Sequence, residues 1–206
     1  FGLMLGATHY HDLAKAAPSI NNMLRSNNDG YQICLGGFNV EKIQKKGVNI
    51  YRSAHVAFEK LITDSYNTVP KQYFNYLKTF TKEHNELYVS QKYFRLWSAP
   101  VEEWGHKYKN IDVSIVPLVD NNFNNCKSEL KMIEAGFKGK AVIVSNVAPY
   151  NLLATDKNSY LVNSSREFYD CMKRALNNPN EVGDKIFQLR EDVLKKYTLQ
   201  DLSVKR

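Results

Sequence analysis

Short apolar runs alternate with amphipathic stretches along this chain. Phe1–Leu5 reads as a buried strand. From Asp12 to about Arg25, Leu13, Ala16, Ala17, Ile20, Met23 and Leu24 fall on one helical face, with Asp12 as the N-cap and Pro18 expected to kink the helix. Tyr31–Leu35 reads as a second strand closed by Gly36-Gly37, and Val48–Tyr51 as a third, weaker one. The middle is less regular: helices are predicted over Val56–Asp64 and Lys71–Lys82, a short strand over Glu86–Ser90, and a short helix over Val101–Lys107. Order returns with a strand at Ile111–Pro117, a polar loop at 120–125, a helix at Lys127–Phe137 ended by Gly139, and a strand at Ala141–Ser145. A short strand at Tyr160–Val162 and closing helices at Glu167–Leu176 and Asp184–Tyr197 complete the pattern.

Continuous apolar strands separated by helices predict an α/β fold, a Rossmann-like parallel sheet with helices on both faces. Such sheets bind ligands beyond the carboxyl ends of their strands. The loops of interest are then 6–12, 36–39, 117–126 and 145–151. At 206 residues, the whole chain reads as a single Rossmann-like domain, with 52–110 its less regular part. The chain opens directly on an apolar run ending in Gly6, so we read it as a piece of a longer protein.

Composition adds a few exclusions. Hydrophobic residues make 43 % and charged residues 24 %, which excludes a disordered or fibrous chain. The net charge of +7 favours anionic partners, although the charge is spread along the chain rather than blocked. Cys34, Cys126 and Cys171 form no zinc spacing and predict reduced thiols in the cytoplasm. The chain has no G-x-G-x-x-G, no P-loop and no G-x-S-x-G. Aromatics cluster at Tyr73, Phe74, Tyr76, Phe80 and at Tyr93, Phe94, Trp97, Trp104; the first group, at helical spacing, reads as core or interface, neither makes a base-stacking platform, and no nucleic-acid partner is expected.

Two stretches could carry chemistry. On one continuous helix, Lys127, Lys131 and Glu134 would share a face, with Asn124 or Asn125 as the cap. Free amides and a lysine at a helix start suit phosphate, and a carboxylate further along suits a diol. An ordinary surface helix with Lys/Glu ion pairs fits the same spacing. The second stretch is Thr8-His9-Tyr10-His11-Asp12. Its spacing fits no metal motif, because Leu13 and Ala14 stand where further ligands would be needed. Here Thr8 or His9 is expected to face an anion.

Residues 111–150 resemble the nucleotide-sugar-binding, C-terminal domain of GT-B glycosyltransferases. The likeness rests on a strand ending Val116-Pro117-Leu118, a polar loop, a helix carrying Glu134-Ala135-Gly136, and the strand Ala141–Ser145. The stretch Phe123, Asn124, Lys127, Ser128, Lys131, Glu134 is similar to members that make bacterial surface polysaccharides, and Gly2–Thr8 resembles the opening strand and glycine turn. The match covers about half the chain, and residues 40–100 match poorly. The resemblance implies transfer of a sugar from a nucleotide-sugar donor to a saccharide or lipid-linked acceptor, with retention of configuration and without a metal or other cofactor. It implies an acceptor-binding domain N-terminal to Phe1, and a fragment inactive alone. A lipid-linked acceptor would place the protein at the inner face of the membrane. Glu134 would bind the donor ribose, and Lys127, Ser128, Lys131, Asn124, Asn125, Gly6, Thr8 and His9 would complete the donor site. Three positions depart from the pattern: Cys126 stands where a second Glu is usual, and Ala7 and Asp12 stand where an Arg and a Lys usually grip the diphosphate. These departures keep a second reading open, a degenerate nucleotide-binding or interaction module without catalysis.

Overall fold

The computed structural model describes residues 1–5, 9–26, 30–38, 40–45, 48–53, 61–62, 92–97 and 99–198. Six strands form one parallel sheet: β1 (Gly2–Met4), β2 (Ile33–Phe38), β5 (Tyr93–Trp97), β6 (Val113–Val116), β7 (Ala141–Ser145) and β8 (Tyr160–Val162), in the spatial order β5-β2-β1-β6-β7-β8. β3 (Val40–Lys45) and β4 (Val48–Ser53) form a separate antiparallel pair. Counting only the strands of the large sheet, the order is 3-2-1-4-5-6, the doubly wound arrangement. Leu3 lies level with Leu35, and Ile115 with Ile143.

Alternation along each strand sorts the side chains into two cores. Leu3, Ile33, Leu35, Val113, Ile115 and Ile143 face one way, onto α1 (Tyr10–Arg25) and α5 (Ser165–Asn177). Met4, Cys34, Val116, Val142 and Val144 face the other way, onto α4 (Leu130–Phe137) and α6 (Pro179–Tyr197). Both faces are therefore covered, which is why β6 and β7 are apolar almost throughout. Two short helices complete the set: α2 (Val101–Trp104), continued by a 3-10 segment at Gly105–Asn110, and α3 (Asn122–Asn125). Among the described residues, no helix is long and apolar enough to cross a membrane.

Several elements differ from the sequence reading. α1 begins at Tyr10 and runs unbroken through Pro18, with His9 rather than Asp12 at the N-cap position. β2 does not close at Gly36-Gly37 but continues to Phe38 with an irregularity between Gly36 and Phe38. Gly37 supplies the φ of +104° that this irregularity needs. Tyr93–Trp97, to which the pattern assigns no element, is the edge strand β5, and its aromatic residues suit a pleated surface. The helix expected at Lys127–Phe137 begins only at Leu130, and the polar loop before it holds α3, capped by the Asn121 side chain accepting from the Asn124 amide. The predicted helix at Val56–Asp64 is described only at Leu61 and Ile62, which are helical. The predicted Lys71–Lys82 helix and Glu86–Ser90 strand lie outside the described residues.

Candidate functional site

The chain leaves β1 toward one face of the sheet, through α1, and leaves β6 toward the other, through α4. Connections that part in this way open a crevice at the carboxyl ends of β1 and β6. Two groups of side chains meet there.

The first group centres on Asp12, in the first turn of α1 and 3 % exposed. Its Oδ1 accepts from the Val119 amide (2.8 Å) and from Asn124 Nδ2 (2.9 Å). Its Oδ2 lies 2.8 Å from His9 Nδ1 and 3.8 Å from Lys127 Nζ. Burial alone would raise the Asp12 pKa. The hydrogen bonds from His9 and Val119, with the charges of His9 and Lys127, outweigh it and hold the carboxyl below its ordinary value. Asp12 is thus an ionised hub that ties the start of α1 to the segment after β6. Lys127 Nζ is buried without a hydrogen bond and sits 5.0 Å from the centre of the Phe123 ring.

The second group lines a cleft of about 570 Å³ with Leu5, Gly37, Ala99, Trp104, Tyr108, Lys131 and Glu134. The Tyr108 hydroxyl donates to Glu134 Oε2 at 2.8 Å, and Lys131 Nζ donates to the same oxygen at 2.9 Å. Lys131 also lies 5.8 Å from the centre of the Trp104 ring. Tyr108 is fully buried, and burial together with the Glu134 charge pushes its pKa far up, so it stays a neutral donor. Glu134 is therefore held by one oxygen, which leaves the lone pairs of Oε1 for a ligand in the cleft. Buried Tyr150, on the turn after β7, joins the two groups: its pKa is raised by burial and by the charges of both Asp12 and Glu134.

The residues singled out by sequence fall into three sets. Lys131 and Glu134 line the cleft, and His9 and Lys127 meet at Asp12 in the other group. Lys127 does not share a helix with Lys131 and Glu134, because the chain turns between α3 and α4; the lysine in the first turn of the long helix is Lys131. Asn124 and Asn125 do not cap that helix. Asn124 is buried, with its amide spent on Asp12 Oδ1 and the Val119 carbonyl, and Asn125 is exposed and bonds to Asp120. Ser128 is exposed between the two helices, and Gly6 and Thr8 lie outside the described residues. The segment 123–128 does not line the 570 Å³ cleft. A larger cavity of about 720 Å³ lies along the second half of α1 and the start of α5, away from the strand ends.

The pattern reading missed Tyr108, Tyr150 and the role of Asp12. For Asp12 a signal was present: it sits four residues before Ala16 and eight before Ile20, on the apolar stripe, where a carboxylate must find partners. Tyr108 lies in a 3-10 segment with no such stripe. Among the described residues, no three His, Cys, Asp or Glu side chains are grouped to hold a metal ion.

No protein-family model matches the chain, and no curated protein sequence matches it. Solved structures do match. TarM of S. aureus shares 13 % identity at a TM-score of 0.64, over 99 % of this chain and 33 % of TarM. HepE of Anabaena, solved in complex with UDP, shares 10 % at 0.59, over 99 % and 46 %. Sucrose-phosphate synthase from Thermosynechococcus elongatus shares 14 % at 0.60, over 99 % and 43 %. The chain thus spans between a third and a half of the structures it matches. All three are GT-B glycosyltransferases, and the chain has the Rossmann-like fold of one domain of such an enzyme.

Proposed function

We propose that this chain is the donor-binding domain of a glycosyltransferase, holding a nucleotide sugar at the crevice beyond β1 and β6. The observation that carries the reading is Glu134. Its carboxylate is anchored through Oε2 by a buried tyrosine and a lysine, on the wall of a cleft at the strand ends. An anchored carboxylate with a free oxygen accepts from a ribose diol, and Lys127 and His9 supply positive charge for a diphosphate. Solved relatives of this fold with UDP or UDP-glucose bound support the same ligand class. In this reading the sugar passes to a saccharide or lipid-linked acceptor held by a further, N-terminal domain. The acceptor would belong to surface polysaccharide synthesis, the product would keep the donor's configuration, and no metal or cofactor would be needed. The enzyme would work in the cytoplasm, at the inner membrane face where the acceptor is lipid-linked, and this chain alone would be inactive.

A second reading is favoured by two observations: an exposed cysteine, Cys126, stands where a carboxylate is usual, and Asp12 is buried as a structural hub. A binding module without catalysis would show both. One experiment tests the ribose assignment common to the two readings. Glu134→Gln should weaken binding of a ribonucleoside diphosphate by roughly tenfold or more, the worth of a charge-assisted hydrogen bond. The 2′-deoxy analogue should lose much less, and metal chelation should change neither. Equal binding of ribo and deoxyribo forms by the wild-type chain would refute the assignment. Sugar transfer once the chain is joined to an acceptor domain separates enzyme from module.

A further inference from the structure

The two basic side chains on Asp12 are not equivalent, because histidine is the side-chain type whose charge ordinarily changes near neutrality. His9 is also chemically constrained. Its Nδ1 lies 2.8 Å from Asp12 Oδ2, and an ionised carboxylate can only accept, so Nδ1 must carry a hydrogen. Neutral His9 is therefore the Nδ1–H tautomer, with Nε2 a bare lone pair. Among the described residues, Nε2 has no protein partner. A phosphate oxygen is also an acceptor, and two acceptors cannot bond. His9 can hold a diphosphate only after Nε2 has gained a proton.

Charge points the same way. Asp12 lies opposite Lys127 at 3.8 Å, so a proton gained by His9 gives these three facing groups a net positive charge. Of the other groups nearby, Lys15 Nζ donates to the Leu118 carbonyl, His11 is exposed and packs edge-on against Tyr10, and Tyr150 is buried and neutral. The first turn of α1, moreover, has no side chain capping its amides.

We propose that this site binds its donor with uptake of one proton, taken from solvent onto His9 Nε2, with Asp12 as the positioning residue that holds the opposite ring nitrogen. The proposal rests on the donor-site reading above. Proton uptake makes affinity fall as pH rises, by up to about tenfold per pH unit where the uptake is complete.

The test uses the full 206-residue chain. UDP-glucose, ADP-glucose and GDP-glucose are screened for binding at pH 6.5. In a nucleotide sugar both phosphates are esterified, so the ligand adds no phosphate titration of its own near neutrality. The best binder is then titrated calorimetrically at pH 7.5 in phosphate and in Tris, whose ionisation enthalpies differ, and its Kd is followed from pH 6.5 to 9. The expected wild-type result is a buffer-dependent heat that reports proton uptake, and a Kd that rises with pH. His9→Asn keeps an amide near Nδ1 for Asp12 but removes Nε2. It should bind with no proton uptake and a Kd that no longer varies with pH. His9→Gln, which puts a permanent amide near Nε2, should also be independent of pH, and guards against a folding defect in the first variant. Wild-type binding without proton uptake, or uptake that survives in both variants, would overturn this proposal and leave the donor site standing. Failure of all three nucleotide sugars to bind at any pH would overturn the donor-site reading and this proposal with it.

Discussion

Replacing Asp12 with alanine removes the acceptor on which two distant parts of the chain converge. Val119 N and Asn124 Nδ2 both donate to Oδ1, and Asp12 is 3 % exposed, so water cannot readily take its place. Asn124 Nδ2 keeps its other bond, to the Val119 carbonyl, but its second hydrogen is orphaned. Each buried donor left without a partner costs about 1–3 kcal/mol. Lys127, whose Nζ is buried, loses its counter-charge as well, which adds to the cost. The two donors alone sum to about 2–6 kcal/mol, which for a domain of this size shifts the melting temperature by roughly 4–24 °C. The sign of the pH dependence follows from the direction of the shift. The folded pKa of Asp12 lies below its unfolded value of about 3.9, so its stabilisation is fully present above that value and is lost as pH falls through the folded pKa. Urea unfolding of wild type and Asp12→Ala from pH 7 to pH 3 should therefore show a gap that is widest near neutrality and narrows in acid. A melting shift under 2 °C at pH 7, or a gap as large at pH 3 as at pH 7, would refute the argument.

Two further outcomes are expected. Tyr108→Phe keeps the buried ring but frees Glu134 Oε2, so preference for a ribonucleotide over its 2′-deoxy form should fall several-fold in paired titrations, while thermal stability changes by about 1 kcal/mol or less. Gly37→Ala would place a Cβ 1.9 Å from the Leu5 carbonyl oxygen at a φ of +104°, beside the cleft. The backbone must move, and a loss of more than about 2 kcal/mol is expected by chemical denaturation, with weakened nucleotide binding; a variant as stable as wild type would show that β2 is not bound to this geometry.

The elements most legible in the sequence are those whose signal is local. β7 was read at Ala141–Ser145 and β8 at Tyr160–Val162, both with the bounds the structure has. A strand buried on both faces must be apolar throughout, and that run is written in consecutive residues. The stripe of α1 and the stop at Gly139, whose φ is +62°, are equally local. The helix after β6 is shorter than its spacing suggests, because Lys127, Lys131 and Glu134 keep helical spacing across a turn in which the Asn124 amide donates to Asn121 Oδ1 and Asn124 Nδ2 to the Val119 carbonyl.

The candidate site was half legible for the same reason. Glu134 and Lys131 share one turn of α4, so their neighbourhood is set by helix geometry and can be counted along the chain. Their third partner, Tyr108, is 26 residues away, and Asp12 meets Val119 across 107 residues. Those contacts exist because β1 and β6 are neighbours in the sheet while α1 and α4 leave it on opposite faces. No periodicity records which strands become neighbours. That choice follows from covering both faces of the sheet at once, and it is where a helix cap expected at Asp12 became a buried ionised hub.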